Sequence, residues 1–219
     1  NANADRDGRD ALLEELSYTL GTQSYENQDG SVNVQLPSGL PLVSRFEAFS
    51  LEAVPTSTGS ELQLNLTNTT RPVDNNSLGG EFKGLVYLRD EFIPQVRDDL
   101  DKLAYNLANE VNTLHAGGTG LDGSTGLNFF STPLSVGPDP WTGAAAGIEV
   151  AVTETAQVAA GQSSASGDNR NALLMAALKD TKAIDGTHSF GSFYAKTTSE
   201  IGVESAQNQL SVSGLEDTM

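Results

Sequence analysis

One long run of helical periodicity constrains the fold of this chain more than any other feature. It extends from about Arg89 to His115, and its apolar residues recur at intervals of three, four and seven. These positions are Ile93, Val96, Leu100, Leu103, Ala104, Leu107, Val111 and Leu114. A helix of this length spans roughly 40 Å at 1.5 Å per residue, which favours an elongated body. We expect six of these side chains to be buried against helices from both ends of the chain: Ile93, Val96, Leu100, Leu103, Leu107 and Val111.

Before this run, the period of the apolar residues changes to two. Three stretches alternate in this way: Val32, Val34 and Leu36; Phe49, Leu51 and Ala53; and Leu62, Leu64 and Leu66. Turn residues separate them at Asp29-Gly30, Pro37-Ser38-Gly39 and Thr58-Gly59. The pattern predicts a small antiparallel β unit, followed by a loop over the polar residues 68–77.

Helical patterns also occupy both ends of the chain. Four leucines at helical spacing, Leu12, Leu13, Leu16 and Leu20, predict a short helix that Gly21 ends. Asp168 and Asn169 are candidate N-caps of a helix carrying Leu173, Leu174, Ala177 and Leu178. A last amphipathic stretch runs from Phe190 toward Leu210, and Ile148, Val150 and Val152 alternate like a strand. The sequence therefore predicts an α+β protein with a β insert between helical segments.

Composition excludes several classes of partner and chemistry. The 219 residues include 12 Lys and Arg against 29 Asp and Glu, a net charge of -17, which would repel nucleic acid and anionic membranes. There is no cysteine, so disulfides, thiolate catalysis and Cys-ligated zinc are unavailable. No apolar run approaches the roughly 20 residues of a membrane-spanning helix. We expect neither nucleic acid nor a membrane as a partner.

The segment from Asn3 to Glu14 has the oxygen spacing of a calcium-binding EF-hand loop. Asn3, Asp5 and Asp7 match its first, third and fifth positions, with Gly8 sixth and Glu14 twelfth. The loop normally begins with Asp and has an aliphatic residue where Asp10 stands, and no second loop is visible. The sequence therefore favours the acidic first turn of a helix, with no metal.

Histidine and glycine motifs provide no catalytic pattern. His115 and His188 are the only histidines, and neither has zinc-protease spacing. We expect a partly positive His115 to close the long helix. The glycine-rich residues 117–120 lack the Gly-Lys-Ser/Thr of a phosphate loop, which favours a flexible turn.

Paired carboxylates at Asp98-Asp99 and Glu14-Glu15 are interpreted as solvated helical faces rather than acid–base dyads. Asn65, Asn68 and Asn75 begin glycosylation triplets that an Asn/Thr-rich segment produces by composition. The sequence thus predicts no catalytic, cofactor-binding or metal-binding residue, no cofactor and no enzyme activity.

Five segments occur in an order characteristic of one family. They are DRDGRDALLEELSYTLG (5–21), DGSVNVQLPSGLPLV (29–43), SLGGEFKGLVYLRDEFIPQVRDDLDKLAYNLANEVNTLH (77–115), GLNFFS (126–131) and GDNRNALLMAAL (167–178). The chain resembles the bacterial flagellar hook-associated protein 1 family, the first of the hook–filament junction proteins. The most specific residues are the R-D-x-L-x-x-E-L run from Arg9, the G-G-x-x-x-G-L-x-x-x-R-D run from Gly79 and the passage 112–130.

The resemblance implies a secreted, extracellular axial protein of the flagellum. Its implied partners are the hook protein, the second junction protein and further copies in a ring, with an export chaperone bound through a C-terminal segment. The family's terminal polymerisation segments are not recognisable in these residues, so we expect this chain to be monomeric. The alternative is a non-enzymatic surface binding module, adhesin-like or related to flagellin.

The resemblance also implies a domain organisation. A discontinuous helical rod domain of long antiparallel helices is expected from residues 1–20 and 81–219, with a short β-containing connection at 131–153. Residues 21–80 form the inserted β domain. Arg9 and Asp10 are expected in a helix that packs beside the helix at 89–115.

Overall fold

The computed structural model describes residues 2–56, 59–131, 135 and 137–216. The chain divides near Pro94 into two compact units. Long helices accompany antiparallel sheets, so the predicted α+β class is confirmed. The domain boundaries at 20 and 80 and the elongated shape stay predictions. Within the described ranges, no helix combines the length and the apolar character needed to cross a bilayer.

Among the residues that the structure describes, the first unit begins with a helix and continues with seven strands. Helix α1 spans Ala2–Leu20, and Gly21 follows it at φ 68°, which confirms the predicted helix end. The strands are β1 (Gln23–Glu26), β2 (Val32–Gln35), β3 (Pro41–Ser44), β4 (Glu47–Ala48), β5 (Ser50–Thr56), β6 (Gly59–Leu66) and β7 (Thr69–Val73). The loop predicted from Asn68 is wrong over β7, whose sequence TTRPV shows no apolar alternation. Of the turn predicted at Thr58-Gly59, Thr58 lies outside the described residues.

The strands form two antiparallel sheets. One has the order β1-β2-β3-β4 and the other the order β5-β6-β7. Strands β5 and β6 pair from Ser50 with Asn65 to Thr56 with Gly59. Pro55 and Pro72 stand on the two outer strands of the second sheet, where a residue without an N–H is tolerated.

Alternating residues of both sheets supply the core of the first unit. Leu36 and Leu64 are fully buried and Val34 nearly so, as their period of two predicts. Leu36 and Leu64 pack with Leu78 and with Val86 of helix α2, which spans Gly80–Tyr87. A short 3-10 turn at 75–77 precedes that helix, with the Asp74 side chain as its cap. Residues from strands and helices therefore share one core.

Gly80 starts α2 at φ 57°, against the end of α1. A Cβ on Gly80 would collide with the carbonyl oxygen of Tyr18, so only glycine allows this approach. This contact gives a structural reason for the Gly79-Gly80 pair of the family motif.

The predicted long helix is interrupted by a π-helical turn. Residues 88–92 form this turn after α2, and helix α3 then spans Ile93–Ala116. Pro94 lacks the N–H that would bind the carbonyl of Asp90, and its ring crowds that carbonyl in a regular helix. The wider turn, in which Ile93 N–H binds the Leu88 carbonyl, accommodates the proline.

The second unit contains nearly all of α3 and, in the described part of the chain, three further helices. Helices α4 (Ala144–Gly147), α5 (Arg170–Ala177) and α6 (Phe190–Glu216) are joined by loops and by 3-10 turns at 155–157 and 178–180. The helices predicted after Asn169 and from Phe190 are confirmed. The strand predicted from Ile148 to Val152 is wrong, because this segment makes a single bridge between Phe130 and Val150.

The apolar stripe of α3 is less buried than its heptad spacing predicts. Ile93 is 46% exposed and Leu100 39% exposed, and the other four predicted residues are half-buried. The buried positions of α3 are Asp99, Ala108, Asn112 and His115. Periodicity locates the apolar side of a helix, but here the chain covers a neighbouring polar side whose groups find hydrogen-bond partners.

Candidate functional site

Asp99 joins α3 to α6. Its Oδ2 accepts a hydrogen bond from the Thr197 hydroxyl at 3.1 Å and lies 3.5 Å from Lys196 Nζ. Asp99 and Thr197 are both buried. The interpretation of Asp99 as a solvated carboxylate is wrong. The carboxylate is buried, and a hydroxyl and a cation of α6 compensate the cost of removing it from water.

The two neighbouring aspartates on α3 hold the segment around α4. Trp141 Nε1 donates to Asp98 at 2.6 Å, and both Asp101 oxygens accept backbone N–H bonds, from Gly143 and Ala145, at 2.8 Å. Asp101 therefore caps the short helix from outside its own segment. Partial burial raises the pKa of Asp98, but hydrogen bonds from Trp141 and Lys102 outweigh it and leave the pKa below the usual range.

His115 is a fully buried link between three segments. Its Nδ1 lies 2.7 Å from the Leu127 carbonyl oxygen, and its Nε2 lies 3.0 Å from the Ala159 nitrogen. The Ala159 N–H needs an acceptor, so Nε2 is unprotonated and Nδ1 carries the hydrogen. His115 does stand in the last turn of α3, but the prediction of a partly positive imidazole there is wrong.

Two asparagines complete this buried polar cluster. Asn112 exchanges two hydrogen bonds with the backbone of Phe130. Asn171 of α5 donates to the carbonyl oxygens of Leu114 and Ala159 at 3.0 and 2.7 Å. The cluster anchors the passage after α3 at Leu127 and Phe130.

The glycine-rich turn after α3 is held by hydrogen bonds rather than loose as predicted. Thr119 N–H donates to the Gly161 carbonyl at 2.8 Å, and Gly161 N–H returns a bond at 3.3 Å. Gly118 lies so close to Asn171 and Ala159 that an added Cβ would overlap both side chains. The glycine is needed for this close packing.

The suspected calcium loop is helical. Residues 3–14 lie within α1, and Asp5 is in its first turn, so the helix interpretation is confirmed. Glu14 and Glu15 are exposed on this helix, as expected. Within the part of the chain that the structure describes, no group of three or more His, Asp or Glu is arranged to hold a metal ion. The absence of catalytic, cofactor and metal sites stays a prediction.

An open groove in the first unit was not predicted from the sequence. It has a volume of about 560 Å³ and lies between the second sheet, α2 and the π turn. Its apolar lining includes Leu62, Val73, Leu78, Phe82 and Val86, and its charged lining comprises Glu61, Asp74, Arg89, Asp90 and Glu91. These residues come from strands β6 and β7, the connection after β7, α2 and the π turn, so no local motif reveals them.

A second unpredicted feature is the turn that joins β3 to β4. Phe46 at this turn is 89% exposed, and no aromatic side chain among the described residues is more exposed. Arg45 beside it has φ 54°, and its N–H donates to Asn33 Oδ1 at 2.7 Å. The turn projects an aromatic and a basic residue together.

Comparison with known proteins places this architecture. A family model described as the flagellar hook-associated protein FlgK helical domain matches residues 1–130, more than half of the chain. The chain belongs to the FlgK family. The FlgK match includes α1, both sheets, α2, α3 and the passage that Asn112 and His115 hold.

Individual FlgK relatives agree with this assignment. Flagellar hook-associated protein 1 of Salmonella typhimurium is 31% identical over 134 residues, and that of Escherichia coli K12 is 28% identical over the same length. The solved flagellar hook junction protein FlgK from Burkholderia pseudomallei matches with a TM-score of 0.50 and 26% identity. Each match covers 57% of this chain but 24% of the relative. The chain thus spans about a quarter of the length of the relatives it matches.

Proposed function

We propose that this chain is part of a structural axial protein that joins the flagellar hook to the filament. The observation that carries the proposal is the FlgK helical-domain match over residues 1–130. The FlgK of known structure is named a hook junction protein, and the curated relatives are named hook-associated proteins. The polar cluster around His115 supports a mechanical role, because it ties distant loops to one helix by hydrogen bonds.

The partners follow from this role. The hook protein, the second junction protein and further copies of the protein are its neighbours in the flagellum, outside the cell. An export chaperone binds a C-terminal segment before secretion. The net charge of -17 disfavours nucleic acid and anionic membranes as competing partners. The role is non-enzymatic and needs no cofactor.

The domain organisation is also a proposal. Residues 21–80 form a β domain inserted in a helical rod domain built from 1–20 and 81–219, with the connection at 131–153. Every strand of the described residues lies between Gln23 and Val73, and the long helices lie outside this range, which supports the division.

Immunogold electron microscopy tests the location. Antibodies raised against this chain should label one narrow band where the hook meets the filament, and a gene-deletion strain is the matched control. Label along the whole filament would favour a flagellin-related protein. Label over the cell surface would favour an adhesin-like module. Either pattern would contradict the junction role.

The isolated chain should be monomeric in dilute solution. Copies carrying a net charge of -17 repel one another at low salt, which opposes weak contacts. Sedimentation at micromolar concentration should therefore report the monomer mass of 23.0 kDa. A stable ring from this chain alone would contradict this expectation.

A further inference from the structure

The groove of the first unit has an apolar floor and an acidic rim. Four carboxylates and one guanidinium line it among the described residues, which gives a local charge of -3. Arg89 is already engaged, since its Nε lies 2.6 Å from Asp90 Oδ1 and its other nitrogens contact Ser60. Asp74 caps the following turn by accepting from Ser77. Glu61 and Glu91 therefore leave the rim acidic.

Such a groove selects a ligand with both an apolar and a cationic part. Aromatic and arginine side chains are the residues most enriched at protein interfaces, where aromatic anchors fill pockets. A volume of about 560 Å³ lies within the range of ligand pockets and accommodates an aromatic ring with a guanidinium beside it.

The turn between β3 and β4 carries this pair. Phe46 leaves an apolar ring in water, and Arg45 holds a left-handed backbone that non-glycine residues rarely adopt. The bond from Arg45 N–H to Asn33 stabilises that conformation and fixes where the two side chains project. The groove lining includes neither residue, so the pair does not occupy the groove of its own chain.

We propose that Arg45 and Phe46 of one copy insert into the groove of a second copy. Phe46 would contact the floor at Leu62 and Phe82, and Arg45 would face Glu61. The two surfaces differ, so the contact is heterologous and leaves a free turn and a free groove at its ends. A local attraction of opposite charges offsets part of the repulsion between two acidic chains.

This contact deepens the proposed function, on which it rests for the assumption that copies lie side by side. The contact area is small, so the association is weak in dilute solution and strengthens when other contacts raise the local concentration. The contact is therefore compatible with a monomeric isolated chain.

Cysteine trapping tests the contact directly, because the chain contains no cysteine of its own. One copy carries Ser44→Cys beside the turn, and a second, mass-tagged copy carries Ala53→Cys in the groove lining. Mild oxidation of the concentrated mixture should produce the mixed dimer several-fold more than a control pair of Ser44→Cys with Leu121→Cys. Leu121 is 90% exposed and lies outside the groove. An equal yield from both pairs overturns the proposal.

Side-chain variants then identify the contact. Phe46→Ser in the Ser44→Cys copy should reduce the mixed dimer to the control level. Arg45→Glu on one copy, or Glu61→Lys on the other, should each lower the yield, and the two together should restore it. The proposed pairing is overturned if Phe46→Ser leaves the yield of mixed dimer unchanged. It is also overturned if combining Arg45→Glu with Glu61→Lys does not restore that yield. Thermal unfolding of each variant confirms that it is folded. Trapping uses purified chains, so its outcome does not depend on where the protein lies in the flagellum.

Discussion

Asn112 holds Phe130 by two hydrogen bonds between one side chain and one residue's backbone. The Asn112 amide nitrogen donates to the Phe130 carbonyl at 2.9 Å, and its oxygen accepts the Phe130 N–H at 2.8 Å. The Asn112 amide thus pairs with the Phe130 backbone as a neighbouring strand would, although the two residues are 18 positions apart. It anchors the end of the passage that follows α3.

Replacing Asn112 by Ala should therefore lower the free energy of unfolding by on the order of 1–3 kcal/mol, because it removes both partners of the Phe130 backbone. Chemical denaturation measures the change. Asn106→Ala on the same helix is the matched control, since that side chain donates only to the Lys102 carbonyl one turn away. Equal effects of the two substitutions would show that the Phe130 bonds contribute nothing specific.

Replacing Asp99 by Ala should destabilise the protein more than replacing Leu100 by Ala, although hydrophobicity alone predicts the reverse. Asp99→Ala removes a buried acceptor of Thr197 and should cost on the order of 1–3 kcal/mol. Leu100→Ala should cost less than about 1 kcal/mol, because the leucine is already 39% exposed. Denaturation midpoints of the two variants, compared at equal slope, decide the order. A larger loss for Leu100 would support the prediction that the apolar stripe of α3 is buried.

Gly118→Ala should destabilise the second unit by about 1–3 kcal/mol through overpacking against Asn171 and Ala159. The adjacent Gly117→Ala provides the control, because the nearest atom to its added Cβ is the Leu114 carbonyl oxygen at 3.5 Å. Thermal unfolding of both variants separates a steric effect from a general effect of alanine in the turn. Similar melting temperatures would exclude the steric explanation.

Protonation of Asp168 should make the free energy of unfolding fall at acid pH. Arg170 above all, and then Ser163, donate to this carboxylate and hold the pKa of Asp168 well below its usual range. A depressed folded-state pKa contributes stability above the unfolded value, about 3.9, and this contribution is lost as pH falls further. Unfolding free energies from about pH 7 to about pH 3 should therefore fall more steeply for the parent chain than for Asp168→Asn.

Asp180→Asn is the control for this titration, since that side chain is 81% exposed and only 4.0 Å from its nearest cation, Lys179. Both substitutions remove one carboxylate, so this variant controls for the loss of the charge itself. A curve for Asp168→Asn that runs parallel to the parent would rule out Asp168 as a source of the acid sensitivity.

Elements with strong local patterns could be predicted from the sequence. Val34, Leu36 and Leu64 alternate with polar residues and are buried, and Gly21 ends α1 with the backbone that glycine favours. Strand β7 was not predicted because its sequence TTRPV has no apolar alternation. Its one buried residue, Val73, lies at its end. Its position depends on pairing with β6, which no local signal records.

The buried polar residues of α3 were unpredictable for the same reason. Asp99, Asn112 and His115 belong by type to a solvated face, and only partners far along the chain make their burial favourable. Thr197 lies 98 positions from Asp99, and Ala159 lies 44 from His115. The groove likewise needs the second sheet, α2 and the π turn to be assembled before its charge and shape exist.

Pro55 and Pro72 have a consequence for how copies of this protein can meet. Each proline removes a backbone donor from an outer strand of the β5-β6-β7 sheet, which makes both borders poor templates for an added strand. Neighbouring molecules crowded at high concentration are therefore discouraged from joining their backbones into a continuous ribbon, the first step toward amyloid-like fibres. Contacts at this sheet are left to side chains, which can separate again.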